Sequence, residues 1–327
     1  ADITNEGDIT VKRNTSMKKN DYTYWGSPVE GQNLRAFSPG KLYTYNEWDD
    51  YFTLLNGTDN FDSKAKGYAI QAGPTHQSGV STAFNGVFLG KPKNGNIVMT
   101  LKRQGRGYNL IGNPYPSNID FAELYAANSD LIYNTAYFWT NLNHNPESQG
   151  SNYPNGRTIN NYAILNGTGG IPATNSKQPT DSGYKASQIP NEFIKVGQGF
   201  IVRKKVAGDG DMIFNNAMRS NDNTGHFFRK KPRDRYWLEL KTPLNIYTTL
   251  LVGYIENATN DFEIDYDATL MAVGSDAFYS VLGTRKLGIQ GKASFVNTDV
   301  VALGASHHEN GEYTISAPTR EGIFASS

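Results

Sequence analysis

The sequence predicts an all-β fold: tandem antiparallel β-sandwich units, jelly-roll-like, with one or two short helices. Three observations predict it. Short strand-like runs alternate with turn residues along the whole chain. The 33 Gly, 20 Tyr and 16 Phe suit tight turns and pleated, half-buried surfaces. One stretch of turn chemistry also occurs twice, each time after a short apolar strand.

The clearest strands are "KLYTYNEW", "YFTLLNG", "KGYAIQAG", "NIVMTLKR", "AYFWTNL", "NYAILNG", "QGFIVRKK", "DMIFNN", "RYWLEL" and "TTLLVGYI". Each is bounded by Gly, Asn, Asp or Pro, the residues that end a ladder. One helix is predicted at "NIDFAELYAANSDLI". Asp120 stands at the cap, Glu123 follows in capping-box position, and Leu124, Ala127 and Leu131 share a face.

The repeated stretch is "YTYWGSP" at Tyr22 and "YNLIGNP" at Tyr108. The echo continues: "LYTYNEWDDYFTLLNG" matches "AYFWTNL" plus "NYAILNG", "KGYAIQA" matches "QGFIVRK", and Phe84-Asn85 matches Phe214-Asn215. An internal duplication over residues 1–230 follows, copy one at about 9–101 and copy two at about 102–230. A catalytic loop rarely needs two near-copies in one chain, whereas a sheet corner does. Gly26, Pro28, Gly112, Pro114 and Pro116 are therefore read as structural corners. Glycine there would take a conformation closed to other residues, and proline would end ladder pairing. Ser27 and Asn113 would hold the turns through their own backbones. The polar then basic stretch "RSNDNTGHFFRKKPRDRYW" marks a boundary, and residues 233–327 are expected to form a second β-sandwich. It ends at "GIFASS" without an obvious terminal strand, which reads as an incomplete last domain.

Charge and cysteine content narrow the function classes. Lys plus Arg and Asp plus Glu number 31 each, which removes the electrostatic case for a nucleic-acid partner. No apolar run is long enough for a membrane span. The absence of cysteine excludes disulfides, thiolate metal sites and a cysteine nucleophile. Nucleophile-elbow, zincin and phosphate-loop patterns are missing, so no catalytic residue and no organic cofactor are assigned.

Two constellations carry candidate chemistry. Asp261, Glu263, Asp265 and Asp267 alternate in "NDFEIDYDATL"; in a loop they could converge on calcium, a hard cation that takes several oxygens. Tyr45, Trp48 and Trp139 lie in or beside hairpins, where planar rings could stack on sugars; the competing reading is that aromatics fill a sandwich core. His307-His308-Glu309 lacks a third ligand at any fixed spacing and reads as a hairpin tip.

The motifs "NDYTYWGSPV", "YNLIGNPYPSNIDF", "VGQGFIV", "NATNDFEIDYDA", "KLGIQG" and "VVALGASHHENGEYTI" resemble a recurrent C-terminal region of large secreted Bacteroidota proteins. Such proteins are exported by the type IX secretion system. The resemblance implies a cell-surface or extracellular location and a sorting domain beyond this chain that engages the secretion machinery. It carries no catalytic residue set. The expectation is a non-enzymatic structural or adhesive segment, with surface glycans or neighbouring copies as partners. Its alternatives are a carbohydrate-binding module, calcium-dependent or not, and a subunit of an extracellular filament or sheath.

Overall fold

The computed structural model describes residues 5–78, 80–141, 161–176, 189–221, 233–271, 273, 276–307 and 310–326. The fold is all-β with two short helices, Leu34–Phe37 and Phe121–Ala126. It divides into two compact units: residues 1–149 with 192–225, and residues 150–191 with 226–327. The division is discontinuous. The strand Tyr162–Asn166, expected as the second hairpin strand of copy two, groups with the second unit.

In the first unit the same strand registers recur. The corner strand Tyr22–Trp25 pairs antiparallel with Tyr68–Gln71, matching Trp25 to Tyr68. The corner strand Tyr108–Gly112 pairs with Gly199–Lys204, matching Ile111 to Phe200. Leu42 and Tyr43 then face Ile70 and Ala69, as Ala136 and Tyr137 face Val202 and Ile201. Outside these, Ile9–Met17 forms a ribbon with Thr82–Gly90, and Ile97–Arg103 forms one with Gly208–Phe214. In these ribbons Val11 faces Phe88 and Ile97 faces Phe214. The structural counterpart of Phe214 is thus Phe88, not Phe84 as the dipeptide match suggests. Phe88 and Phe214 are both fully buried, and the pairing register fixes which of two nearby phenylalanines is equivalent.

The two corners lock each other crosswise. Trp25 bridges Gln198 of the other copy and Ile111 bridges Lys66. The Gly26 N–H donates to the Gly197 carbonyl at 3.1 Å, and the Gly112 N–H to the Ala65 carbonyl at 2.8 Å. A Cβ on Gly26 would lie 2.5 Å from the Gly112 Cα, and one on Gly112 would lie 2.4 Å from the Gly26 Cα. Neither glycine has a left-handed backbone. They are required by close approach of two main chains rather than by an unusual φ, which corrects the sequence expectation. Gly67 and Gly199 repeat the motif, each with its Cβ position 2.7 Å from backbone of the other copy's corner strand.

Trp25, Phe37, Phe61, Phe84 and Phe88 build one aromatic core of this unit. Phe37 stacks on Phe88 at 4.5 Å and meets Phe61 edge-on at 5.3 Å, the offset and T-shaped arrangements favoured by ring quadrupoles. Leu34–Phe37, a helix the sequence reading missed, delivers Phe37 to this core; Asn33 caps it by accepting from the Ala36 N–H. The predicted helix is shorter than its pattern suggests. Asp120 caps it by accepting from Ala122 N–H, and it ends at Ala126, short of Leu131.

The second unit is built on a sheet ordered Leu303–Ser306, Ala277–Leu282, Arg285–Lys292, Ile246–Tyr254, Asp234–Lys241, Thr314–Glu321. One of its pairings departs from the antiparallel expectation: Ile246–Tyr254 runs parallel to Arg285–Lys292. Parallel neighbours need a crossover, and the acidic segment at 261–267 lies within it. Leu240, Leu250, Val252, Tyr254 and Phe278 form this unit's core. The Trp237 indole N–H is satisfied by the Gly170 carbonyl at 2.9 Å. Among the described residues no helix is long and apolar enough to cross a membrane.

Candidate functional site

A cleft of about 400 Å³ opens in the first unit where the first corner strand meets the turn that precedes Gly199–Lys204. Tyr24 and Trp25 come from the corner strand, Trp139 and Asn141 from the end of Ile132–Trp139, Gln198 from the turn, and Arg13 from the outer ribbon. The turn is closed on itself. The Gln198 N–H donates to the Lys195 carbonyl at 3.0 Å, and the Gln198 Oε1 accepts from the Lys195 N–H at 2.9 Å. Asn141 Oδ1 accepts from the Tyr22 N–H at 3.3 Å and from the Trp139 indole N–H at 3.2 Å. Both carboxamide oxygens are therefore engaged by groups that can only donate, which fixes their orientation.

Trp25 is 2% exposed, and its indole N–H has no acceptor among the described residues. Such a group ordinarily costs about 1–3 kcal/mol until something accepts from it. Among the described residues no carboxylate, imidazole or lysine lines the cleft, and its ionisable side chains are Arg13 and Tyr24. Trp139 stacks on Tyr24 at 5.7 Å and 24°. The row continues from Tyr24 to Phe52 and from Phe52 to Tyr45.

The sequence-predicted aromatics thus separate. Trp139 lines the cleft, while Tyr45 and Trp48 lie on the hairpin of Leu42–Asn46 and Tyr51–Leu54. The Tyr45 hydroxyl donates to Asp50, and Asp50 pairs with Arg106 at 2.7 Å. Trp48 is 65% exposed at the hairpin tip. Beside it the sequence reading missed Glu47. This buried carboxylate accepts from the backbone N–H groups of Gln104, Gly105 and Gly107. Glu47 thereby fastens the tip to a loop whose successive amides make an anion nest. The signal was "QGRG", whose glycines allow the loop's backbone to turn its amides inward.

The acidic segment of the second unit, the candidate calcium loop, is tied to its own backbone and to the sheet. Among the described residues no group of three or more acidic or histidine side chains is placed to hold a metal. The backbone holds two of these carboxylates. Asp267 accepts from the N–H groups of Glu263 at 2.7 Å and Gly291 at 2.9 Å. Glu263 accepts from the Thr259 N–H at 3.0 Å, and Asp261 is exposed. Burial pushes the Asp267 carboxyl up to about 6, opposed by its two amide donors. The segment is a loop that clips itself to the sheet. Tyr266 extends the clip, its carbonyl accepting from Asn166 Nδ2 and Thr168 Oγ1. His307 rests against Tyr313; His308 and Glu309 lie outside the described residues.

The corner residues behave as the repeated motif implies. Ser27 is buried and exchanges hydrogen bonds with the Val29 backbone. Asn113, also buried, accepts from the Tyr115 N–H and donates to the carbonyls of Ser117, Ile194 and Lys195. Pro28 offers its carbonyl to the Lys93 N–H at 3.0 Å. Pro114 and Pro116 flank Tyr115, which is fully buried and donates to the Gly95 carbonyl at 2.6 Å.

Residues 1–327 match the family described as "Domain of unknown function (DUF8693)", and the chain belongs to that family. Searches of curated proteins and of solved structures find no match to the chain.

Proposed function

We propose that this DUF8693 member is a non-catalytic structural and adhesive segment of a secreted cell-surface protein, carried out of the cell by type IX machinery through a sorting domain beyond this chain. The chemistry of the cleft carries the reading. Among the described residues, aromatic rings, carboxamides, hydroxyls and the Arg13 guanidinium line it without a carboxylate, imidazole or lysine, a lining that offers contacts for a ligand and no acid–base pair to turn one over. The crosswise glycine contact supports the structural part, because two main chains packed without side chains between them leave the corners little freedom to shift. The resemblance to exported Bacteroidota C-terminal regions supports the location. Adhesion would then come from many weak contacts on one surface rather than from one tight pocket.

The calcium-dependent form of a carbohydrate module finds no support, since backbone amides hold Glu263 and Asp267. The filament alternative would need an open sheet edge, and Thr314–Glu321 is an edge strand. It carries Pro318 where its register with Asp234–Lys241 slips, a combination that blunts edge-to-edge pairing.

The test is adhesion under flow of beads coated with the full chain, on glycan-bearing and bare surfaces, beside a panel of chromogenic glycosides and esters. Retention on the glycan surface without turnover is expected. Turnover that tracks the protein, or equal retention on both surfaces, overturns the reading.

A further inference from the structure

We propose that two molecules of this chain associate through the edge strand Tyr51–Leu54, paired antiparallel about a two-fold axis at Thr53. This strand ends the sheet that runs from Tyr22–Trp25 through Tyr68–Gln71 and Leu42–Asn46. The Leu55 N–H donates to the Leu42 carbonyl at 2.8 Å, and Thr53 stands opposite Thr44. Along an antiparallel ladder, residues alternate between bonding their neighbour and turning away from it. Leu55 and Thr53 therefore bond inward, while Phe52 and Leu54 turn their N–H and C=O groups outward. No backbone group among the described residues meets them there. The corresponding strand of the second repeat is covered: Tyr162–Asn166 is buried along its length, and Gly170–Ile171 pairs with it. The exposed edge is also undefended. "YFTL" has neither charge nor proline, whereas the edge strand Thr314–Glu321 carries Pro318, Arg320 and Glu321. An edge without such guards is a template for another strand.

The edge is complementary to itself. Outward residues must meet outward residues, and setting Phe52 opposite Leu54 of the other molecule engages both. Thr53 then faces its own counterpart on the axis, and Tyr51 faces Leu55 of the other molecule. Tyr51 is 65% exposed and Leu54 57%. On opposite faces of the joined sheet they would cover the half-buried Leu55 and Phe52 of the other molecule, apolar cross-strand pairs of the kind that stabilise sheets. Charge agrees with this register. It sets the exposed Asp49 opposite Gly57 of the other molecule, and Gly57 lies against the Arg35 guanidinium, with its Cβ position 2.6 Å from Nη2. Arg35 is exposed, donates to the carbonyls of Pro39 and Gly40, and meets no carboxylate among the described residues. Each acidic tip thus approaches the other molecule's basic end. A two-fold contact closes on itself, so the product is a dimer rather than a filament, and it forms whether or not the segment is adhesive.

The experiment is sedimentation velocity of the full chain from about 5 µM to 1 mM, a range that brackets the dissociation constant on the order of 100 µM expected of so small an interface. The sedimentation coefficient should rise from monomer toward dimer across it. Thr53→Lys and Thr53→Glu each set like charges opposite one another on the axis, and each alone should weaken association at least about tenfold. Mixed in equal amounts the two should associate again, because the charges on the axis are then opposite. That recovery needs both variants folded, which separates a lost contact from a damaged hairpin. Leu54→Pro removes an outward N–H and should leave a monomer. Ile315→Lys, at a residue 54% exposed on the guarded edge, should change nothing. A chain monomeric throughout the range, or association that survives Thr53→Lys or Leu54→Pro, overturns the pairing. So does association lost equally in Ile315→Lys. A mixture of the two Thr53 variants that stays monomeric overturns the two-fold register.

Discussion

At the first corner Trp25 precedes Gly26, and Ser27 bonds the Val29 backbone within its own turn. At the second corner Ile111 precedes Gly112, and Asn113 reaches beyond its turn to the carbonyls of Ile194 and Lys195. The main chains at the two corners follow equivalent registers and meet across the same pair of glycines. Only the side chains differ. Ile111 is fully buried and brings no polar atom, whereas Trp25 brings to the aromatic core an indole N–H that has no acceptor among the described residues. A duplicated backbone has kept its geometry at both corners. One copy has sealed its corner with an apolar residue and a reaching amide, and the other sets a tryptophan and a serine that stays within its own turn. Geometry common to both copies reports on folding; the side chains that break the symmetry report on function.

The largest effect should come from breaking the shared geometry. Gly26→Ala or Gly112→Ala places a methyl group against backbone at 2.4–2.5 Å, and each should cost at least about 4 kcal/mol or prevent folding. The double variant should cost clearly less than the sum, because either methyl alone already forces the corners apart. Urea unfolding of the three variants decides this; additive losses would mean that the corners do not share one contact.

The next test separates the two corners. Asn113→Ala should lose about 3 kcal/mol, since it strands several buried backbone groups, while Ser27→Ala should lose about 1 kcal/mol. Equal losses in chemical denaturation would remove the distinction between a reaching and a local corner residue.

Two buried ions should make the two units respond to pH in opposite directions. Lys93 gives its ammonium to the Asp62 and Lys64 carbonyls, and desolvation lowers it from 10.5 to about 8. The folded chain sheds this proton before the unfolded chain does, so the first unit should gain stability as pH rises from about 8 to 10.5. Asp267 moves the other way, from 3.8 up to about 6. The folded chain keeps that proton longer, so the second unit should lose stability as pH rises from about 4 to 6. Each change should amount to roughly 3 kcal/mol across its pH window. Lys93→Met and Asp267→Asn should flatten their own slopes in pH-dependent urea midpoints and leave the other untouched.

The smallest effect is expected at the most conspicuous aromatic. Trp48→Ala at the exposed tip should change stability by no more than about 0.5 kcal/mol in urea unfolding. A larger loss of stability would show that the tip packs against something more than the Glu47 clasp.

Local chemistry was legible in the sequence. The all-β class, the turn residues, the Asp120 cap and the repeated strand-to-corner motif follow from spacing and residue type, because turns, caps and strand alternation are decided within a few residues. The repeat implied that the two copies pair alike, but that Leu42 faces Ile70 and Ala136 faces Val202 came from the structure. The tertiary structure decided what depends on contacts far along the chain. It gave Gly26 and Gly112 a reason other than φ, since a glycine needed for close approach looks the same in sequence as one needed for a turn. It took the carboxylates of Glu263 and Asp267 for backbone amides at Thr259, Glu263 and Gly291, partners that alternating acids alone do not announce. And it brought Arg13, Trp25, Trp139, Asn141 and Gln198 to one cleft, because residues from separate strands share a wall only after the registers of both copies are closed.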